Sequence, residues 1–137
     1  MGTDIGSDLR RRISERAGHR CEYCHLPDGS AMNRHEPDHI VPRQHGGDSG
    51  ENNLALACFR CNRYKGPNVG SFDPFTGDLV PLFNPRKQLW PEHFELQFGK
   101  IVPLTPEARV TVKLLRINHP SRISERNAFI AVGISFE

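Results

Sequence analysis

Four cysteines in two C-x-x-C pairs, Cys21/Cys24 and Cys58/Cys61, constrain this chain more than any other feature. Two intervening residues let both thiolates of a pair turn onto one ion, and two such pairs supply the four sulfurs of a closed, tetrahedral zinc site. A closed site offers no open coordination position, so the zinc expected here is structural. No N-terminal stretch has the apolar core of a secretory leader, and the expectation is a reducing compartment, the cytoplasm, where paired cysteines hold metal rather than form disulfides.

A chain of 137 residues can bury one modest core. With 36% hydrophobic residues, 12 glycines and 11 prolines it reads as loop-rich, the kind of chain that benefits from a metal staple. The formal charge of +2 counts the cysteines as neutral; four thiolates around one zinc would bring about −2. The loaded protein is then close to neutral, and any attraction to a polyanion depends on where the basic residues lie. No apolar run is long enough to cross a membrane, so no membrane partner is expected.

Along the chain, Ser7 to Ala17 reads as a helix with Ser7 as cap, Leu9 and Ile13 on one face, and Gly18 in the left-handed terminal position. Its Arg10-Arg11-Arg12 run reads as a solvated face, with phosphate binding the weaker reading. His19 to His25 is a tight turn around the first cysteine pair, and Leu26 to Asn33 a loop. Pro37 to Val41 predicts a strand, Pro42 to Asn52 a polar excursion, Leu54 to Ala57 a second strand, and Cys58 to Lys65 a helix stopped by Gly66-Pro67. Beyond it, Leu79 to Phe83 suggests a strand and Phe94 to Leu104 a hairpin turning at Gly99-Lys100. Thr105-Pro106-Glu107 opens a helix to about Asn118, buried through Val110, Leu114 and Ile117, and a last helix covers about Ser121 to Ala131.

The 33 residues between the cysteine pairs are too many for a simple zinc ribbon and enough for two strands and a loop. They contain Asp38-His39-Ile40-Val41-Pro42, then His45-Gly46-Gly47, then Asn53-Leu54; Cys58-x-x-Cys61-Asn62-x-x-Lys65-Gly66 follows. From about Arg20 to Gly66 this order resembles the HNH endonuclease family. The resemblance implies a ββα-metal fold, with the Asp-His pair on the first strand, the middle Asn before the second, and the last site residue on the helix. It further implies that His39 is the general base activating water, that Asp38 and Asn62 hold one divalent cation, and that Asn53 orients the loop and His39. Each role suits its side chain: an imidazole titrates near neutrality, and carboxylate and amide oxygens suit a hard cation. With Asn rather than His at the last position the ligands are all oxygen, which favours Mg2+ or Mn2+ over a second zinc.

Asn62 follows Cys61 and points about 100° away around the helix, so zinc and catalytic cation would use different faces. Arg60, Arg63 and Lys65 on that helix, with Arg43 in the loop, are the cations expected to meet nucleic-acid phosphates. His19 and His25 could be spare zinc ligands but four cysteines suffice; His45 reads as a loop residue within reach of phosphate; His35, His93 and His119 carry no signal.

The expected protein is an α+β, zinc-stapled ββα core with an N-terminal helix over residues 1–66. Residues 67–137 form an extension of short strands and two helices packed on it, the whole making a single compact domain. The expected activity is metal-dependent hydrolysis of nucleic-acid phosphodiesters, with DNA nicked one strand at a time. The alternatives are a non-catalytic zinc module that binds nucleic acid and a protein-interaction domain with structural zinc. Asp38, His39 and Asn62 discriminate against the first, because a binding scaffold needs no imidazole beside a carboxylate with an amide on the facing helix; the second would be favoured by a protein that neither binds nor cuts nucleic acid.

Overall fold

The computed structural model describes residues 5–29 and 33–137; part of the loop expected over Leu26 to Asn33 lies outside the described residues. The fold is α+β. Helix α1 (Ser7–Arg16) is followed by an antiparallel pair, β1 (Glu36–His39) and β2 (Leu54–Ala57), and then α2 (Phe59–Lys65). A second pair, β3 (Gly70–Phe72) and β4 (Leu79–Pro81), precedes the short α3 (Trp90–His93). The hairpin β5 (Phe94–Gln97) and β6 (Lys100–Pro103) leads into α4 (Pro106–Leu114) and α5 (Pro120–Ala131).

All four residues of β2 are buried, and the strand serves two layers. Leu54 and Leu56 pack with Ile13 of α1, while Ala55 and Ala57, on the opposite face, join the cluster that holds the cysteines. Small residues on that second face leave room for the buried cysteines. Full burial of a Leu or Ile is worth about 1.5–3 kcal/mol, which is what seats α1. Its arginines secure the attachment: Arg10 pairs with Glu36 at 2.7 Å and Arg12 with Glu51 at 2.7 Å. Arg16 donates to the carbonyls of Glu51 and Leu54. Two of the three residues in the basic run are thus tethers to the β1–β2 unit, and Arg11 pairs with Asp8 within the helix. Gly6 is the N-cap and makes no side-chain bond, so Ser7 is the first helical residue and not the cap.

Several expected boundaries shift. The first strand spans Glu36–His39 and not Pro37 to Val41, because Val41 leaves the ladder to bond the Asn53 side chain. Cys58 is the N-cap of α2, its sulfur accepting from the Cys61 N–H. The hairpin turns at Phe98-Gly99, both with positive φ, instead of at Gly99-Lys100; two such residues match the right-handed twist of the flanking strands. Helix α4 ends at Leu114, yet Ile117 beyond it is buried, and Leu115 rather than Leu114 fills the core.

Polar ties as well as packing join the elements of residues 67–137 to one another. Asp73, after β3, accepts two bonds from Arg109 of α4 at 2.9 and 2.7 Å. Thr111 of α4 accepts from the Phe83 N–H at 2.8 Å. One buried cluster runs from the cysteines through Phe83, Phe94, Ile101, Leu115 and Ile117 to Phe136.

Candidate active site

The four cysteines are buried, and their sulfurs all lie within 4.8 Å of one another. Cys24 and Cys58 Sγ are 3.7 Å apart, close to the roughly 3.8 Å edge of a tetrahedron with zinc–sulfur bonds of about 2.3 Å. Backbone N–H groups of Cys24 and Cys61 point at Cys21 and Cys58 Sγ, the first sulfur of each pair. The donor set therefore fits one structural zinc. From α5, buried Arg122 brings its guanidinium to 3.2 Å from Cys61 Sγ and 3.8 Å from Cys58 Sγ. Burial opposes the charge on Arg122, but the Cys61, Cys24 and Cys58 sulfurs outweigh it and hold that arginine protonated.

Asp38, His39, Arg43 and Asn62 line one open cleft of about 420 Å³, between the end of β1, the loop after it and α2. The loop is held by Asn53, whose Oδ1 accepts from Val41 N–H while its Nδ2 donates to Val41 O and Asp48 O. Gly47 is required under this staple, because a Cβ there would lie 1.7 Å from the Val41 carbonyl oxygen. Asn53 is thus a positioning residue for the loop that carries Arg43, and these three bonds go to backbone rather than to His39. His39 is half-buried, and its Nε2 lies 3.0 Å from Ser49 Oγ. Burial, then the charges of Arg43 and Lys65, lower its pKa below the ordinary imidazole value, so the ring is neutral at pH 7.

Asp38 faces the other way, under α2, where it is only 7% exposed. Burial raises its carboxyl to about 6, against the opposing pull of Lys65 and of the Tyr23 hydroxyl. The Lys65 ammonium sits 3.2 Å from Asp38 Oδ2 and donates to the His39 carbonyl at 2.8 Å. Lys65 is 1% exposed. The expectation that it meets phosphate on the surface is therefore corrected: this lysine is spent inside the fold, holding both site residues of β1. Asp38 Oδ2 is sealed from solvent, although Asp38 is among the residues that line the cleft.

Of the remaining cations, Arg63 is exposed on α2, whereas Arg60 pairs with Glu125 of α5 at 3.2 Å. His25 is no zinc ligand: its Nδ1 lies 2.7 Å from the Phe136 carbonyl oxygen, and its ring stacks on Trp90. His45 borders a separate, largely apolar cavity. Sequence reading missed Arg122, Tyr23 and Ser49, which no local motif marks, and missed Glu22, which accepts from Leu56 N–H and from Arg86.

The family model described as HNH endonuclease matches residues 21–68, from the first zinc-type cysteine to just past α2. Curated proteins and solved structures give no match. The segment that the sequence marks as HNH-like is thus the segment the family model matches, and its four cysteines stand as a metal site.

Proposed function

We propose that this protein is a divalent-metal-dependent endonuclease that hydrolyses nucleic-acid phosphodiesters, nicking DNA one strand at a time. The observation that carries the reading is the shared cleft: Asp38, His39 and Asn62, separated by up to 24 positions, line it together with Arg43. A neutral imidazole accepts the proton of the attacking water. Ser49 steadies the ring that does so. The Asp38 carboxylate and the Asn62 carbonyl oxygen would hold Mg2+ or Mn2+, an all-oxygen pair suited to a hard cation. When bound, such a cation stabilises the charge that develops on the phosphoryl oxygens. Arg43, Arg60 and Arg63 bind backbone phosphates without reading bases, and Asn53 keeps the Arg43 loop in place.

In this reading residues 1–66 are the nuclease core and 67–137 an extension packed on it. No helix among the described residues is long and apolar enough to cross a membrane, and the reading needs none. The test is conversion of supercoiled plasmid to nicked circle by zinc-loaded protein, with Mg2+ or Mn2+ added or omitted. Asp38→Ala and Asn62→Ala should each raise the cation concentration needed while the zinc content stays at one per chain. Tight binding with no nicking under any cation would favour the non-catalytic module instead.

A further inference from the structure

A second cavity of about 740 Å³ adjoins the catalytic cleft and is within the size range of small-molecule sites. Pro67 is a wall of both, and the loop after β1 borders both, contributing Ile40, Val41 and His45 to the larger one. Its other walls come from the β3–β4 hairpin and the segment that follows. The lining is mostly apolar, and at its rim Val41, Val69 and Leu79 stand exposed.

Three amide side chains interrupt that apolar lining, and each is fixed at one end by the backbone. Asn68 Nδ2 donates to the Lys65 carbonyl at 3.0 Å, which leaves Oδ1 as an acceptor. Asn84 Oδ1 accepts from Arg86 N–H at 2.9 Å, which leaves Nδ2 as a donor. Gln88 Oε1 accepts from Asn84 N–H at 2.8 Å, which leaves Nε2 as a donor. Because the backbone partners fix which end is oxygen and which nitrogen, the polarity of all three is determined. His45, Lys65, Lys87 and Glu107 complete the polar lining. Apolar walls with donors and an acceptor held in fixed orientation suit a flat heterocycle whose faces are apolar and whose edge hydrogen-bonds.

We infer that this cavity seats an unpaired nucleobase of the substrate strand, beside the phosphate held in the catalytic cleft. The inference rests on the nuclease reading for its substrate and adds a substrate class: single-stranded or locally unpaired nucleic acid. A base that is stacked and paired cannot enter, whereas an unpaired base adjacent to the scissile phosphate lies next to the shared Pro67 wall.

The experiment measures fluorescence anisotropy of a labelled single-stranded DNA dodecamer and of an abasic sugar-phosphate oligomer of equal length. Zinc-loaded protein is used without added magnesium, so that binding is read without cleavage. The dodecamer should bind about tenfold more tightly than its abasic counterpart, the scale of one buried base. Asn84→Asp with Gln88→Glu keeps both acceptors that hold the loop but replaces the two free donors by carboxylate oxygens. Val69→Trp instead fills the cavity from its exposed rim. Both variants should bring the ratio of the two affinities close to one, with the melting temperature within a few degrees of the parent. The ratio cancels the added negative charge, which weakens both ligands alike. A parent ratio of one, or a tenfold ratio that survives both variants, overturns the base seat. If plasmid is still nicked in that case, the nuclease reading stands without it; a tenfold ratio in a protein that cuts nothing keeps the seat and removes the hydrolysis.

Discussion

Replacing Lys65 by Met removes a buried ammonium and keeps the length of its stem, so it isolates what that charge does. Two groups lose their partner: the Asp38 carboxylate, 3.2 Å away, and the His39 carbonyl, 2.8 Å away. Breaking a buried ion pair from one side costs about 3–5 kcal/mol. For a chain of 137 residues each kcal/mol lowers Tm by roughly 3–5 °C, so a fall of about 10–25 °C is expected. The cost should also depend on pH. Asp38 has a folded pKa of about 6, above its ordinary value, so its contribution is greatest below the unfolded pKa and is lost as pH rises through 6. Lys65 opposes that shift, and without it the carboxyl keeps its proton to higher pH. Below pH 5 both proteins carry a protonated Asp38 and differ mainly by the His39 carbonyl bond; at pH 8 only the parent has an ion pair. Thermal melts by circular dichroism at several pH values should therefore show a gap between parent and Lys65→Met that widens from pH 5 to pH 8. A loss of a few degrees, flat across that range, would refute the buried pair and return Lys65 to the surface.

Arg122→Met should leave zinc stoichiometry at one but raise the rate of zinc release to a colorimetric chelator by about 10- to 100-fold, the usual scale for a residue bonded to metal ligands; a parent-like rate would remove Arg122 from the metal centre. Asn53→Ala deletes three bonds to the backbone of Val41 and Asp48 and should cost about 1–3 kcal/mol in denaturant melts, with slower nicking by what remains folded; unchanged stability would count against the staple. Arg63→Ala should weaken DNA binding and reduce the slope of log affinity against log salt by about one, while Lys65→Met leaves that slope unaltered; the reverse pattern would exchange their roles.

What the sequence carries, it carries locally. Leu54–Ala57 is legible as a strand because four apolar residues stand between polar turns, and the cysteine frame is legible because each pair sits within a single turn. Asp38 and His39 are singled out by the order of motifs, not by any local signal of burial. Lys65 was misread for a physical reason: a lysine in the last turn of a short helix ordinarily faces water, and the carboxylate that draws this one inward lies 27 positions earlier. Arg122 is invisible for the same reason on a longer scale, since it meets Cys61 across 61 positions. The strand Gly70–Phe72 is too short for periodicity to register. The second cavity is assembled from four segments, and its amide donors are defined only by the backbone groups that fix their other ends.

Hydrolysis through His39 is the central claim, and single-turnover nicking by His39→Ala measures it most directly. The variant keeps the cysteines, Asp38 and Asn62, so zinc content and DNA affinity should stay at the parent level. The nicking rate at saturating DNA should fall by about 10²- to 10⁴-fold, the range for loss of a general base. Parent activity should fall as pH drops below the ordinary imidazole range, because the proton returns to His39, whose pKa burial lowers, while Asp38 takes its own at about 6. A folded, zinc-loaded His39→Ala protein that nicks plasmid at the parent rate would contradict the account.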